Sequence, residues 1–492
     1  MSSQFPTKTS EIKEKFDKFI NKNLIDYSSK RNFDLGSPHT NVSTLSPYIG
    51  RRLMSETDIL DIAFQKFKPN KIEKFVQEIF WRTYWRGWLE LHPIIWNEYE
   101  KKIRNIEPPK NTGIKCFDYW TQELIETGYL HNHARMWYAS IWIFTLKKDW
   151  IDGAIFFQKN LLDWCPAVNT LSWRWVAGLQ TIGKNYIARA DNIYKFTNYK
   201  FNPVNELNET ASPLESQSSL NQQIINKEFE KISFSNLKDI GLIINKNDFS
   251  LDSLLKKDIN FKTCLFNCDN SLIDQSELIK NFENNLCEEI LSNNKQISCA
   301  ESDEELINWI TKFKIKNLII PYETEGKCLL NRKSLLNKFT NNNVNVFFYL
   351  REWDRLAFPF AKKGFFPFKN KIPELLKKQE FFWRRKIKNF LEPNLDYYLP
   401  DPTIFNDLKK AADRVFKAVK EKEKIAILGD YDVDGISSIV LLRKYLSYFD
   451  IDTYSYIPDR LTEGYGPNLK AIDKIKEKVI KTISKERNLE KK

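Results

Sequence analysis

Residues 131–175 constrain the fold of this chain more than any other segment, because they combine many tryptophans with polar residues at helical spacing. Asn132, Arg135 and Met136 occur at positions i, i+3 and i+4, so they share one helix face. Polar groups buried among indole rings need hydrogen-bond partners. The segment therefore predicts helices around a flat aromatic ligand with a polar edge and phosphates, beside tryptophans that can pass electrons.

The same segment resembles the flavin-binding half of the cryptochrome/DNA photolyase superfamily, whose pattern is LxHNxxRM, a tryptophan, LLDxDPxxN and WxW. The resemblance continues upstream through Ser43–Ile49 and Glu78–Arg82, and it covers roughly residues 20–205. Four motifs in the family's order are a far more specific signal than a lone glycine motif. The resemblance implies an all-α domain that binds FAD and acts on DNA that carries a lesion.

The resemblance also implies roles for individual residues. It implies cofactor contacts from Ser43, Thr44, Leu45, Ser46, Arg82, Asn132, Arg135, Asp163 and Asn169, with Asn132 at the flavin N5 and Arg135 paired with Asp163. It implies a catalytic lesion pocket formed by Glu78, Trp81, Asn132, Met136 and Trp175. Plainer interpretations stay open: a helix N-cap at Ser43–Ser46, a solvated Glu78–Arg82 pair, and core packing for most single tryptophans.

Electron transfer to the flavin is implied for Trp173 and Trp150, which match the proximal and middle members of the family's tryptophan chain. The distal member has no clear equivalent, and Trp120, Trp142 or Tyr119 are alternatives for it.

Two positions bear on the branch of the family and on its chemistry. Cys165 stands where the family usually has a second acidic residue, which puts flavin protonation and reduction in question. The (6-4) repair branch has histidines at the positions of Asn132 and Met136, and neither is histidine here. The sequence therefore favours the cyclobutane-dimer branch or a non-repair cryptochrome.

Composition indicates the kind of partner and the cellular compartment to expect. A net charge of +12 and a pI near 9.0 favour a polyanionic partner such as DNA. We expect no membrane span, because no run of 18 or more apolar residues occurs, and we expect no secretory signal. The seven cysteines form no CxxC pair, which favours a reduced cytoplasm over a disulfide scaffold. The oligomeric state is open.

Composition shifts along the chain predict several domains. Residues 1–205 hold eleven of the 14 tryptophans and are predicted to be helical, whereas 206–235 are polar and predicted to be a linker. Residues 236–372 alternate apolar runs with helical stretches, which predicts an α/β domain with strands at 241–244, 263–266, 318–321 and 346–350 and an aromatic docking segment at 355–368.

Photolyases normally begin with an α/β antenna domain, but here the α/β region follows the flavin-binding one. Either it is a rearranged, antenna-like domain whose pigment cannot be assigned, or it packs without a ligand.

Residues 373–492 form a third region, of which about 378–468 resemble the start of a RecJ-like single-strand-specific exonuclease of the DHH phosphoesterase superfamily. The matching residues lie at 389–395, 399–402, 429–435, 457–460 and 463–468. The resemblance implies that Asp432 and Asp434 bind Mn²⁺ or Mg²⁺, as clustered carboxylates can. The family's further ligands include a His-His pair, yet no histidine follows His133. The metal site is therefore predicted to be incomplete.

The sequence thus predicts a multidomain protein: an all-α FAD-binding domain, an α/β domain and a partial α/β DHH-type domain. The leading hypothesis is a light-dependent photolyase or cryptochrome that splits pyrimidine dimers by electron transfer from photoexcited reduced FAD. The alternatives are a single-stranded-DNA exonuclease and a blue-light sensor without repair activity.

Overall fold

The computed structural model describes residues 4–215, 237–249, 261–268, 273–326, 330, 332–378, 407–459, 462–463 and 468–478. The chain divides into two compact units, Met1–Glu392 and Pro393–Lys492, and each has a hydrophobic cluster of its own. Some sequence predictions fall outside the described residues: the linker from 216 to 235, the motifs at 389–395 and 399–402, and residues 464–467.

The first unit begins with a helical part, here taken as residues 4–215; the sequence predicted helices over 1–205 and a polar linker from 206. Its α-helices are α1 (Thr9–Lys22), α2 (Tyr27–Lys30), α3 (Ser46–Gly50), α4 (Glu56–Lys66), α5 (Glu73–Leu91), α6 (Ile94–Glu100), α7 (Lys115–Thr127), α8 (Asn132–Ser140), α9 (Trp150–Asn160), α10 (Pro166–Ala177) and α11 (Ala190–Phe196). A π-helical turn, Ile141–Thr145, continues α8.

Local chemistry fixes where these helices begin and end. The Asp149 side chain accepts a hydrogen bond from the backbone N–H of Ile151 and thereby caps the start of α9. Gly128 follows α7 with φ +70°, and Gly178 follows α10 with φ +82°. Glycine adopts this left-handed conformation without the steric penalty of a Cβ, so both helices end there.

The core of the helical part is built from aromatic rings. Trp120, Trp137, Trp142 and Trp173 are among the largest fully buried side chains. α10 packs against α5, α8 and α9. Gly153 lets α9 lie directly against the ring of Trp173 on α10, because a Cβ at position 153 would overlap that ring. The sequence requires glycine at this point so that two helices can trap one indole between them.

The described end of the predicted polar linker is held to the helical part. The Asn208 backbone N–H donates to the Thr145 hydroxyl over 3.1 Å. The Glu209 carboxylate accepts a hydrogen bond of 2.8 Å from the backbone N–H of Ala190. Residues 206–215 therefore follow the surface of the helices.

The α/β part of the first unit contains a five-stranded parallel sheet of order β3-β2-β1-β4-β5. The strands are β1 (Ile240–Asn245), β2 (Phe261–Phe266), β3 (Ser298–Ala300), β4 (Asn317–Pro321) and β5 (Asn345–Tyr349). All six residues of the central β1 are buried, as expected for a strand covered on both faces. The four predicted strands are confirmed, and β3 was missed because it has three residues, of which only Ala300 is buried, and so leaves no apolar run.

Helices α12 (Glu277–Asn293), α13 (Asp303–Lys312) and α14 (Lys333–Asn341) connect the strands. After β5 the chain returns to the helical part through residues 352–378, here called the return segment. It comprises α15 (Glu352–Ala357), a 3-10 turn (Phe358–Phe360), α16 (Phe365–Lys369) and α17 (Ile372–Lys378).

The return segment packs on α5, which confirms the predicted aromatic docking segment. A Cβ on Gly87 of α5 would lie 2.9 Å from the Phe358 Cα atom and 3.0 Å from the Ala361 Cβ atom. Real Cβ atoms avoid contacts this short, so glycine at position 87 is what permits the segment to seat against the helix.

A buried cluster of charges joins the return segment to the helical part. Asp354 is fully buried and accepts from Arg52 over 3.0 Å, from Arg351 over 3.1 Å and from Arg86 over 3.3 Å. Arg351 also donates to both carboxylate oxygens of Glu56, over 2.7 and 3.1 Å. Burial alone raises the pKa of Asp354, but the three guanidinium groups outweigh it and hold that pKa below its usual range.

The second unit has a β-α-β core. Its elements are α18 (Leu408–Lys420), β6 (Ile425–Leu428), α19 (Val433–Ser447) and β7 (Thr453–Tyr456), and β6 pairs with β7 in parallel. Among the described residues of the whole chain, no helix is both long enough and apolar enough to cross a membrane.

Candidate functional site

A cavity of about 500 Å³ opens within the helical part. Such a volume lies in the range of small-molecule and cofactor sites, roughly 300–1,000 Å³. Most of the sequence-predicted site residues line it: Ser43, Thr44, Ser46, Glu78, Trp81, Arg82, Asn132, Arg135, Met136, Asp163, Asn169, Trp173 and Trp175. Leu45 and Trp150 do not line this cavity. Leu45 is fully buried in the core, whereas Trp150 begins α9.

Arg135 and Asp163 form the charged pair that the sequence predicted. Arg135 Nη1 and Nη2 each donate over 3.0 Å, one to each carboxylate oxygen of Asp163. Arg135 Nε donates to the Leu130 carbonyl over 2.9 Å, which orients the guanidinium. Two parallel charge-assisted hydrogen bonds fix both direction and distance. The cavity wall therefore carries a rigid planar pair of opposite charges.

Electrostatics keeps this pair ionised in spite of its burial. Burial raises the pKa of the Asp163 carboxyl, but Arg135, Arg82 and the Ser46 hydroxyl together bring it below the usual value. Burial lowers the pKa of Arg135, and the Asp163 charge outweighs this and raises it.

Arg82 adds an incompletely satisfied cation to the cavity. Its Nη1 atom is buried and has no hydrogen-bond partner among the described residues. A buried donor without a partner is destabilising unless a ligand or water supplies an acceptor. This donor set, a guanidinium beside an Arg–Asp pair in a mostly apolar cavity, fits an anionic ligand with a flat ring.

Glu78 lies on the same helix as Arg82, yet it pairs with a different arginine. Arg31 Nη1 donates to Glu78 Oε1. Burial raises the pKa of the Glu78 carboxyl above its usual value, and Arg31 and Lys74 offset only part of this effect. The plain interpretation of Glu78 and Arg82 as a solvated pair is therefore wrong: the Glu78 carboxylate meets Arg31 at the cavity wall.

Three further predicted residues line the cavity from α8 and α10. Asn132 is the first residue of α8 and its side chain is exposed, whereas Met136 is half-buried one turn later. Asn169 is buried, and its amide nitrogen donates to the Ala154 carbonyl over 2.8 Å. This bond fixes the orientation of the Asn169 amide.

Hydroxyl-bearing residues just before and at the start of α3, Ser43, Thr44 and Ser46, line the cavity. Thr44 has a positive φ of 48°, a conformation that few non-glycine residues adopt. The Ser43 hydroxyl accepts from the backbone N–H of Leu45 over 3.4 Å. The N-cap position of α3 is occupied by Leu45, whose side chain cannot cap the helix. The N-cap interpretation of these hydroxyls is therefore wrong for α3.

The two tryptophans implied in electron transfer differ in position: Trp173 lies at the cavity and Trp150 does not. Trp173 lines the cavity and makes edge contacts with Phe157 at 5.0 Å and with Trp142 at 6.1 Å between ring centroids. Trp150 is half-buried, and its ring lies 6.3 Å from that of Tyr99. The electron path from Trp150 to Trp173 stays a prediction, and Trp142 is a buried ring in direct contact with Trp173.

Cys165 lines the cavity at the N-cap position of α10, with its side chain buried. The substituted position is thus part of the cavity wall.

Asp432 and Asp434 lie at the start of α19 in the second unit. Asp432 is the N-cap, and its Oδ1 atom accepts from the backbone N–H of Gly435 over 2.9 Å. Within the described residues, no group of three or more His, Cys, Asp or Glu side chains is placed to hold a metal ion.

Sequence reasoning missed several residues of the cavity. Arg31 was missed because its partner Glu78 is 47 residues away. Tyr129 lines the cavity and lies 5.0 Å from the Arg135 guanidinium, a cation–π contact that no spacing rule predicts. His131 also lines it and is buried. The LxHN motif contained His131, so that signal was visible in the sequence.

Comparison with known proteins confirms the two resemblances. Residues 75–206 match the family model of the FAD binding domain of DNA photolyase. The deoxyribodipyrimidine photo-lyase of Alkalihalophilus pseudofirmus is 28% identical over 180 residues, 33% of this chain and 36% of the relative. That of Streptomyces griseus is 29% identical over 197 residues, 36% of this chain and 42% of the relative.

The single-stranded-DNA-specific exonuclease RecJ of Bacillus subtilis is 40% identical over 108 residues, 22% of this chain and 14% of the relative. The chain thus spans between 14% and 42% of the length of these three relatives.

Two solved structures also resemble this chain. A cryptochrome from Synechocystis sp. PCC6803 has 20% identity and a TM-score of 0.34, covering 40% of this chain and 44% of that one. A bacterial class III photolyase from Agrobacterium tumefaciens has 26% identity and a TM-score of 0.34, covering 39% of this chain and 43% of that one.

Proposed function

We propose that this chain, whose residues 75–206 match the FAD binding domain of DNA photolyase, is a light-dependent flavoprotein that repairs pyrimidine dimers in DNA. The observation that carries the proposal is the bidentate Arg135–Asp163 pair on the wall of the cavity, inside the matched segment. Curated relatives that match the chain are named deoxyribodipyrimidine photo-lyases, and that activity is proposed here for this chain.

The residues that would hold FAD are those that present charge and hydrogen-bonding groups to the cavity. Arg82 would direct its unpartnered donor to the cofactor, and Arg135 with Asp163 would fix the edge of the ring. Ser43, Thr44, Ser46, Asn132 and Asn169 would supply the remaining polar contacts. When bound and reduced, FAD would absorb light and supply one electron to the lesion.

The lesion would be held by Trp81, Trp175, Met136 and Glu78. Trp81 and Trp175 are half-buried indoles on the cavity wall, and each stacks a face on another ring, Trp175 on Tyr186 at 5.5 Å. A base flipped out of the duplex is recognised by stacking on such rings. Glu78, with its raised pKa, would meet the polar edge of the base.

DNA as partner is supported by the net charge of +12. Binding through phosphate contacts would weaken steeply with added salt, because counterions are released from the DNA.

The test uses the purified full chain. Its absorption spectrum should show flavin bands, and illumination with an oligonucleotide that contains a cyclobutane dimer should restore the two pyrimidines, whereas the dark control should not. Flavin bands without repair, together with equal affinity for lesion and intact DNA, would favour the second candidate, a blue-light sensor.

An exonuclease is the other candidate, favoured by the 40% identity to RecJ over 108 residues. Asp432 and Asp434 would bind the metal ion, yet Asp432 also caps α19 through Gly435. We expect the full chain to leave single-stranded DNA intact in the dark with Mn²⁺ or Mg²⁺. Metal-dependent degradation that Asp432→Ala with Asp434→Ala abolishes would place the exonuclease first.

A further inference from the structure

The return segment reaches the cavity wall through a stacked pair of rings. Trp81 of α5 lines the cavity, and Phe365, the first residue of α16, stacks on it with 3.5 Å between ring centroids and 10° between the planes. Phe365 does not itself line the cavity. One face of Trp81 is therefore stacked on a ring that is not part of the cavity lining.

Phe365 is held in place by neighbours from α5 and from its own segment. It is 7% exposed, and its ring lies 5.4 Å from that of Tyr84 and 6.0 Å from that of Phe368. The Tyr84 hydroxyl donates to the Lys363 carbonyl over 2.8 Å and fixes the loop just before α16. The position of Phe365 is therefore set independently of Trp81.

Two aromatic neighbours of Trp81 on its own helix contact the indole at an angle, whereas Phe365 stacks flat on it. Trp85 is tilted by 39° at 5.6 Å, and Tyr84 meets it edge-on at 78° and 5.6 Å. Among the described residues, Phe365 is the one whose ring lies flat against the indole, with 10° between the planes. Because Trp81 is otherwise half-buried at the edge of the cavity, this stack is the contact that selects its ring orientation.

We infer that Phe365 is a positioning residue for lesion recognition: it holds the Trp81 indole in the orientation in which its other side receives an extruded base. This inference rests on the proposed function. The sheet-containing part of the chain, through its return segment, thereby contributes to the site of the helical part. A stacked aromatic partner already in place reduces the conformational freedom that Trp81 would lose on binding.

The test is the ratio of dissociation constants for intact and dimer-containing duplex DNA, measured on the full chain with its flavin content recorded. Phe365→Leu should lower this ratio about two- to tenfold, the range that one aromatic pair contributes. Its flavin content should be unchanged, because Phe365 does not line the cavity.

The matched control is Phe366→Leu, which removes the adjacent ring of the same helix. Phe366 is 79% exposed, so its removal should leave the ratio at the parental value. Phe365→Tyr keeps the aromatic face and should also retain the preference. If Phe365→Leu does not fold, Phe365→Met, which conserves volume better, takes its place.

A double-mutant cycle separates positioning from general packing. In a Trp81→Ala background, Phe365→Leu should cause no further change in the ratio, because the two residues act through one interaction. A parental ratio in Phe365→Leu, or additive losses in the cycle, would overturn the inference while leaving the proposed function intact. Equal affinity of the parent for lesion and intact DNA would overturn both.

Discussion

Asp163 receives one hydrogen bond on each carboxylate oxygen from Arg135, both of 3.0 Å, at the wall of the cavity. Arg135 comes from the face of α8, and Asp163 from the turn between α9 and α10. The two residues are 28 positions apart in sequence, and both side chains are ionised, because the pKa of Asp163 is lowered and that of Arg135 is raised. Removing one partner from such a buried pair leaves an uncompensated charge, which strongly destabilises the folded structure around it.

Arg135→Ala should strip or greatly weaken flavin binding. The substitution removes the cation that forms both hydrogen bonds of the pair and leaves the buried Asp163 carboxylate without its bidentate partner. Flavin content after purification, read from the absorption spectrum relative to protein, is the measurement. Arg189→Ala is the matched control, because Arg189 forms an exposed pair with Asp191 in the same helical part. Parental flavin content in Arg135→Ala would remove the basis of the flavin assignment.

Trp173→Phe should slow light-driven reduction of the bound flavin, because Trp173 is the tryptophan of the proposed path that lines the cavity. Comparing Trp150→Phe with Trp142→Phe shows which tryptophan passes the electron to Trp173. The contact of 6.1 Å between Trp142 and Trp173 leads us to expect an effect of Trp142→Phe as well. Photoreduction at the parental rate in Trp173→Phe would require a different electron donor.

The helical part and four of the five strands could be predicted because their signals are local. Indoles and polar residues at helical spacing marked α8, and short β-branched and aromatic runs marked β1, β2, β4 and β5. β3 escaped because Ser298–Ala300 is short and pairs along one edge only. Hydrogen bonds to β2, not its own side chains, make it a strand.

Within the site, motif positions were predictable and long-range pairings were not. The motif implied the Arg135–Asp163 pair because both residues belong to it. Phe365 stacks on Trp81 from 284 positions later in the chain, and no periodicity within either segment encodes that contact. The composition of residues 355–368 did show an aromatic segment that docks somewhere, but the docking surface, α5, required the structure.

Asp354→Asn should destabilise the first unit by about 3–5 kcal/mol, the usual result of removing one member of a buried ion-pair cluster. Asp354 is fully buried among Arg52, Arg86 and Arg351, so the substitution leaves three guanidinium groups with one fewer anion. Chemical denaturation followed by circular dichroism measures the effect.

The matched control for that substitution is Asp191→Asn, which removes the carboxylate of an exposed pair. It should leave the denaturation midpoint unchanged, because solvent screens such pairs. Equal midpoints for Asp354→Asn and the parent would show that the return segment is held by packing alone.

Titration of His131 should make the stability of the folded chain depend on pH. Burial, followed by repulsion from His39 and His133, lowers the pKa of His131 from 6.5 to about 3. Below pH 6.5 the unfolded chain therefore binds a proton that the folded chain does not, and stability falls as the pH decreases toward 3. The loss from this one group approaches about 1.4 kcal/mol per pH unit. The His131 ring nitrogen caps α8 by accepting from the His133 backbone N–H.

His131→Asn tests this dependence, because asparagine keeps a capping acceptor at the start of α8 but does not titrate. The unfolding free energy of variant and parent, measured by urea denaturation at pH 7.5 and 5.5, should show a smaller decrease in the variant. His133→Asn is the comparison: burial also lowers the pKa of His133, but its ring is only half-buried, so its share of the decrease should be smaller. An equal decrease in parent and His131→Asn would mean that the folded protein protonates His131 as readily as the unfolded chain does.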